Sequence, residues 1–164
     1  MSTSNDYTRD EWQEISASAS FDNVPTHQVA LLHRHWIWAN YSRRTHQDAL
    51  ANEDRNDVED FGARTPWAMY TWYGLLCAVI EGLTDRQVRL GGRLVTDLRA
   101  IREPLREARN ATFHVGGADG YWDTRLFEIA TNPESAEQIT RAHQAIGQLL
   151  LDELRRRNRD AGVG

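Results

Sequence analysis

The sequence has no lysine and only one cysteine, Cys77, among its 164 residues. A single cysteine excludes a disulfide or a cysteine-based zinc site within one chain. Its place in an apolar run, residues 75–80, predicts a buried and inert thiol. All 19 basic residues are arginine, whose forked guanidinium suits phosphate or carboxylate. A GC-rich genome would also produce this replacement, so it does not by itself indicate function.

An excess of positive charge is also absent, because the formal net charge is −5. Proteins that coat nucleic acid usually carry a basic stripe, so the charge counts mildly against that class. It leaves room for a small, locally basic site on an acidic body. The first six residues lack the basic-then-apolar pattern of a signal peptide, so we expect a cytoplasmic protein.

A hydrophobic run long enough to cross a membrane is missing as well. The longest, Trp67 to Leu83, falls just short of the ~18–20 residues required and carries Glu81 near its end. The run therefore predicts a central helix that is buried on all sides. We expect no membrane association.

The remaining pattern is helical. We expect a flexible N-terminal tail over residues 1–25, a single helical domain over 26–158 and a C-terminal tail over 159–164. Apolar residues at helical spacing predict a first helix from Thr26 to about Leu50. The acidic residues 52–65 are interpreted as a connecting loop, and Pro66 fits the first turn of the second helix.

A third helical region begins near Thr84 or Asp85, is loosened at Gly91 and Gly92, and resumes from Leu94. Pro104 predicts a kink or a restart, and the helix stops after Val115. Its core-facing positions recur in steps of three and four: Leu94, Leu98, Ile101, Leu105, Ala108 and Thr112.

A last helix follows Pro133, and its apolar face is formed by Ala136, Ile139, His143, Ile146, Leu150 and Leu154. His143 lies on this face, which predicts a hydrogen-bonded core or interface residue. No segment alternates like a strand. The sequence therefore predicts an all-α fold, a four-helix bundle of the up-and-down type.

The residues best suited to chemistry lie near the end of the third helix, in the pattern Arg109-Asn110-x-x-x-His114. A histidine with an ordinary pKa of ~6.5 can move a 2′-hydroxyl proton near neutral pH. An arginine can stabilise the charge on a phosphorane-like transition state. Asn110 lies one turn before His114 and can orient the imidazole, and Arg106 extends this polar stripe by another turn.

The geometry of this pattern is incomplete on a regular helix. Arg109 and His114 are five residues apart, about 140° around the axis. Either the helix unwinds at His114, or two chains each supply half of the site.

The pattern, at the end of a helix in a small four-helix chain, resembles the HEPN superfamily, whose signature is Arg, four to six residues, then His. The resemblance implies a bundle that dimerises at the motif and acts as a metal-independent endoribonuclease in toxin–antitoxin or defence systems. It implies His114 as the acid and base, Arg109 as the phosphate clamp and Asn110 as polar support. It also implies RNA as substrate and an antitoxin or nucleotidyltransferase-type protein as partner.

Other interpretations of these residues stay open. Arg109 can simply pair with a carboxylate, and Glu81, at the end of the second helix, is one candidate. Arg125 can contribute to substrate binding near His114, or it can belong to a turn held by aromatic packing. The chain would then be a non-catalytic module that binds a protein or a nucleotide, or a structural dimer.

No metal or other cofactor is expected. His33 and His35 point to different faces of the first helix, so a shared metal ion is unfavourable. Asp54 and Asn56 do not continue into the alternating oxygen ligands of a calcium loop.

Overall fold

A computed structural model describes residues 24–52, 58–85, 88, 90–113, 131–160 and 162. These residues form four helices: α1 (Val24–Ala51), α2 (Val58–Asp85), α3 (Gly92–Phe113) and α4 (Pro133–Asp160). There is no strand in this part of the chain. The all-α prediction is therefore confirmed for the described residues. The predicted N-terminal tail lies almost entirely outside them.

The helices pack as neighbours in chain order. α1 contacts α2, α2 contacts α3, α3 contacts α4, and α4 returns to α1. α1 is antiparallel to α2, because Leu32 lies beside Gly82 while His46 lies beside Thr65. It is also antiparallel to α4, because Trp36 lies beside Gly147 and Asn40 beside His143.

Two glycines set how closely α1 approaches its neighbours. A Cβ on Gly82 would lie 2.3 Å from Leu32 Cδ2, and one on Gly147 would lie 2.3 Å from Trp36 Cζ2. Neither contact is sterically possible without a shift. Glycine at these two positions therefore allows the large side chains of α1 to pack directly against the backbones of α2 and α4.

The predicted apolar faces form the core. On α3, Leu98, Ile101, Leu105 and Ala108 are buried, and Leu94 and Thr112 lie at its margin. α1 contributes Val29, Leu32, Trp36 and Ala39, and α4 contributes Ile139, His143, Ile146, Leu150 and Leu154. Helical periodicity was a sufficient guide, since a single apolar stripe per helix can be buried only toward the bundle axis.

Helix α2 differs from the prediction at its start. It begins at Val58, so residues 58–65 are the first two turns of a helix and not part of a loop. Pro66 lies inside it, where its fixed φ is compatible with helical geometry. The backbone carbonyl of Thr65 accepts a hydrogen bond from His46 Nδ1 at 3.1 Å, which ties this turn to α1. Acidic composition by itself does not distinguish a loop from a helical turn.

Helix α2 is also not buried on all sides. Trp67 is 58% exposed, and Ala78 is exposed too. The long apolar run has one face toward the core and another toward solvent. None of the helices in the described part of the chain is both long and apolar enough to cross a membrane.

The third helix starts later than predicted and is continuous. α2 ends at Asp85, and α3 begins at Gly92, where Val95 N donates to the carbonyl of Gly91 at 3.0 Å. Gly91 and Gly92 therefore lie at the start of α3 and not inside a helix, where glycine is unfavourable because it loses more conformational entropy than other residues. Pro104 lies inside α3 without a restart.

Candidate functional site

Arg109 is held by Glu81 across the α2–α3 contact. Its Nη1 donates to both carboxylate oxygens of Glu81, at 2.6 Å to Oε2 and 2.8 Å to Oε1. The two side chains are 31% and 37% exposed. The pairing that the sequence raised as one alternative is thus present. It fixes the guanidinium at the surface of the bundle and leaves it reachable from solvent.

Asn110 lies on the other edge of the same guanidinium. Its Oδ1 accepts from Arg109 Nη2 at 3.2 Å and, more weakly, from Nε at 3.4 Å. Asn110 is exposed, so this contact is readily exchanged for another acceptor. The sequence predicts that Asn110 supports His114, which lies outside the described residues, so this stays a prediction; the described contact of Asn110 is with Arg109.

Arg106, the proposed extension of the stripe, is exposed and forms an ion pair with Glu103 on its own helix. No described contact joins Arg106 to Arg109 or Asn110. Two further predicted site residues, His114 and Arg125, lie outside the described residues. The structure therefore brings together Arg109, Asn110 and Glu81, and the proposed relation of Arg109 to His114 stays a prediction.

Cys77 lies one turn before Glu81 and is buried. Its thiol donates to Glu81 Oε1 at 3.9 Å. Burial, with a further contribution from the negative charge of Glu81, raises the pKa of the thiol to about 11. The prediction of a buried cysteine is confirmed, and a thiol with this pKa is a poor nucleophile at neutral pH.

A second polar cluster lies inside the core, between α1, α2 and α4, and is centred on His143. Trp72 Nε1 donates to His143 Nδ1 at 3.2 Å, and His143 Nε2 lies 3.2 Å from Asn40 Oδ1. Trp36 Nε1 donates to the backbone carbonyl of His143 at 2.8 Å, and its ring stacks on the imidazole at 4.8 Å. Since Nδ1 accepts, the proton of the neutral ring lies on Nε2 and is donated to Asn40.

This cluster is built to keep His143 neutral. Burial, aided by the positive charge of Arg43, lowers the pKa of His143 to about 3. Arg43 reaches the cluster through Asn40 Oδ1, to which its Nη2 and Nε donate at 2.9 and 3.1 Å. The prediction that His143 is a hydrogen-bonded core residue is confirmed. A histidine with this pKa does not exchange protons near neutral pH, so its role is structural.

Sequence reasoning missed the partners of His143. Asn40 and Arg43 are one turn apart on α1, which is a local signal for a polar pair. Nothing in the local pattern indicates that this pair meets a histidine of α4. The described residues contain no group of three or more His, Cys, Asp or Glu side chains placed to hold a metal ion.

Comparison with models of protein families, with characterised proteins and with solved structures gives no significant match.

Proposed function

We propose that the chain is a HEPN-like, metal-independent endoribonuclease of toxin or defence type, built on an up-and-down four-helix bundle. The observation that carries the proposal is the way in which the guanidinium of Arg109 is held. Glu81 holds one end of its guanidinium, while the Nε and Nη2 edge faces an exposed and replaceable acceptor on Asn110. A clamp for a phosphate needs this combination of a fixed fork and one edge open to exchange.

In the proposed reaction, a non-bridging oxygen of the scissile phosphate displaces Asn110 Oδ1 and accepts from Arg109. His114 removes the proton from the ribose 2′-hydroxyl as the 2′-oxygen attacks phosphorus. The bond from phosphorus to the 5′-oxygen breaks, and that oxygen takes up the proton that His114 has accepted from the 2′-hydroxyl. The products are a 2′,3′-cyclic phosphate and a 5′-hydroxyl, and the positive charge of Arg109 stabilises the additional negative charge of the transition state.

The proposal includes a homodimer in which each chain supplies part of the site. This arrangement accommodates the 140° between Arg109 and His114 on a regular helix. An antitoxin or a nucleotidyltransferase-type protein would be the regulatory partner of such an enzyme.

The same ion pair supports one other candidate function. A carboxylate presents two negatively charged oxygens to an arginine in the same way as a phosphate does, and Glu81 already occupies part of the guanidinium of Arg109. Arg109 would then serve to join α2 to α3. The chain would be a non-catalytic module that binds a protein or a nucleotide.

Cleavage of RNA in a chelator separates these two functions. The wild-type protein should release fragments ending in a 2′,3′-cyclic phosphate. Arg109→Ala and His114→Ala should each lower the rate by about 10²-fold or more. Arg141→Ala is the matched control, because Arg141 is an exposed arginine on α4 that pairs with Glu137. A wild-type protein without activity, or a rate that neither site variant changes, would reject the ribonuclease.

A further inference from the structure

The solvent-facing side of α1 carries two large aromatic side chains that are not part of the core. Trp38 is 47% exposed and Tyr41 is 71% exposed. They are three residues apart and share a face with Arg34, opposite the core-facing positions of the same helix. We name Arg34, Trp38 and Tyr41 the α1 aromatic face.

A guanidinium and an imidazole lie next to the Trp38 ring. The guanidinium carbon of Arg34 lies 5.4 Å from the ring centroid of Trp38. The imidazole of His35 lies 5.0 Å from the same ring, and its Nδ1 donates to the backbone carbonyl of Leu31 at 2.8 Å. The Trp38 ring is thereby oriented while nearly half of its surface stays open to solvent.

The charge of α1 sets it apart from the rest of the chain. Between Val24 and Gln47 there are three arginines and no aspartate or glutamate. The first acidic residue of the helix is Asp48. The whole protein has a net charge of −5, so α1 is a locally basic surface on an acidic body. Its aromatic face therefore complements an anionic ligand.

This charge disfavours a second copy of the same chain on that face. A two-fold symmetric contact through α1 would place Arg34 and Arg44 of each copy against the same basic surface, which costs energy. A single-stranded nucleic acid has the complementary chemistry, because each nucleotide supplies both a negative phosphate and a flat base. Bases stack on exposed Trp and Tyr rings, and arginines donate hydrogen bonds to the phosphate oxygens.

We propose that the α1 aromatic face is a binding site for single-stranded RNA, in which Trp38 and Tyr41 stack on bases and Arg34 contacts phosphate. The face is on α1, whereas Arg109 is on α3, and these two helices are not neighbours in the ring of packed helices. The site is thus separate from the Arg109 pair. The choice of RNA rests on the proposed function, and it makes this face a second point of contact for the same substrate.

The test is binding of a fluorescent 12-nucleotide oligouridine with 2′-O-methyl groups, which cannot be cleaved through a 2′-hydroxyl. Fluorescence anisotropy should give a Kd for the wild-type protein that rises about tenfold in Trp38→Ala and several-fold in Tyr41→Ala. Trp38→Phe keeps an aromatic ring and should stay close to wild type. Arg34→Ala should reduce the slope of log Kd against log salt by about 0.7.

Trp67→Ala is the matched control, because Trp67 is a tryptophan on α2 that is 58% exposed, somewhat more than Trp38. It should leave the Kd unchanged. The proposal is overturned if the wild-type protein does not bind the oligouridine, if Trp67→Ala weakens binding as much as Trp38→Ala, or if an RNA duplex binds equally well. If the ligand of this face is an acidic protein and not RNA, the wild-type protein will not bind the oligouridine.

The outcome is independent of the cleavage assay. Loss of binding in Trp38→Ala with no cleavage by the wild-type protein supports the RNA site and rejects the ribonuclease. Cleavage that depends on Arg109, together with a Kd that is unchanged in Trp38→Ala and Tyr41→Ala, supports the ribonuclease and rejects the RNA site on α1.

Discussion

The chain contains two polar clusters in opposite surroundings. At the α2–α3 contact, Arg109 and Glu81 form an ion pair that is about one-third exposed. Between α1, α2 and α4, His143 is 1% exposed and held by Trp36, Trp72 and Asn40. The first cluster is accessible to solvent, and the imidazole at the centre of the second is enclosed and neutral. Residue type and burial both separate the two clusters, because the first has an arginine and a carboxylate in reach of solvent and the second has an enclosed imidazole.

The largest expected effect comes from opening the closed cluster. His143→Ala removes a stacked ring and leaves the Trp72 indole N–H without its acceptor. It should lower the free energy of unfolding by about 3 kcal/mol or more. Urea denaturation measures this change. His35→Ala is the control, since His35 bonds only within its own helix in the described contacts and should cost no more than about 0.5 kcal/mol. Equal losses in the two variants would contradict a special role for the buried cluster.

The next expected effect is a loss of stability in mild acid. Burial lowers the pKa of His143 to about 3 and that of His33 to about 4. In the unfolded chain both titrate near the ordinary ~6.5, so between these values the unfolded state binds more protons. The stability from each histidine is fully present above pH ~6.5. It then falls by about 1.4 kcal/mol per pH unit toward the folded pKa.

Urea midpoints between pH 7.5 and 5.5 measure this dependence. Burial also lowers the pKa of His46, which adds to the same trend, and the positive charge of Arg43 acts on His143 in the same direction. His143→Gln should make the dependence shallower than in wild type. A midpoint that stays constant over this range would contradict neutral, buried histidines.

The smallest expected effect comes from breaking the open cluster. Arg109→Ala and Glu81→Gln should each lower the free energy of unfolding by less than about 1 kcal/mol, because solvent screens a partly exposed pair. A double-mutant cycle with urea denaturation measures their coupling. The exposed pair of Arg106 and Glu103 on α3 is the comparison and should couple by no more than about 0.5 kcal/mol. A coupling of several kcal/mol for Arg109 and Glu81 would indicate that their role is to hold the fold.

Most of the fold can be predicted from the short-range pattern of residues, and each wrong prediction has a physical cause. The stripe from Leu98 to Ala108 was predictable because helical periodicity directly encodes which face is apolar. The start of α2 at Val58 was not, because an acidic segment is equally compatible with a loop and with a helical turn. The exposure of Trp67 was missed because a continuous apolar run carries no periodicity that marks its solvent side.

The candidate site was predictable to a smaller extent. Arg109, Asn110 and Glu81 were all identified as residues of interest, and the pairing of Arg109 with Glu81 was one of several alternatives. The contact of Asn110 with Arg109 was not expected, because the helical period alone places Asn110 beside His114. A long arginine side chain can fold back toward its neighbour, and period does not encode that.

The sequence by itself determined the helical class, the core-facing stripes, the buried thiol of Cys77 and the basic character of α1. All of these depend on residue type and local spacing. Only the tertiary structure decided that Arg109 meets Glu81, that His143 is enclosed by Trp36 and Trp72, and that Trp38 and Tyr41 remain outside. These outcomes depend on which helices become neighbours. Which helices become neighbours depends on burying the apolar faces of all four helices together, so it cannot be derived from any single segment.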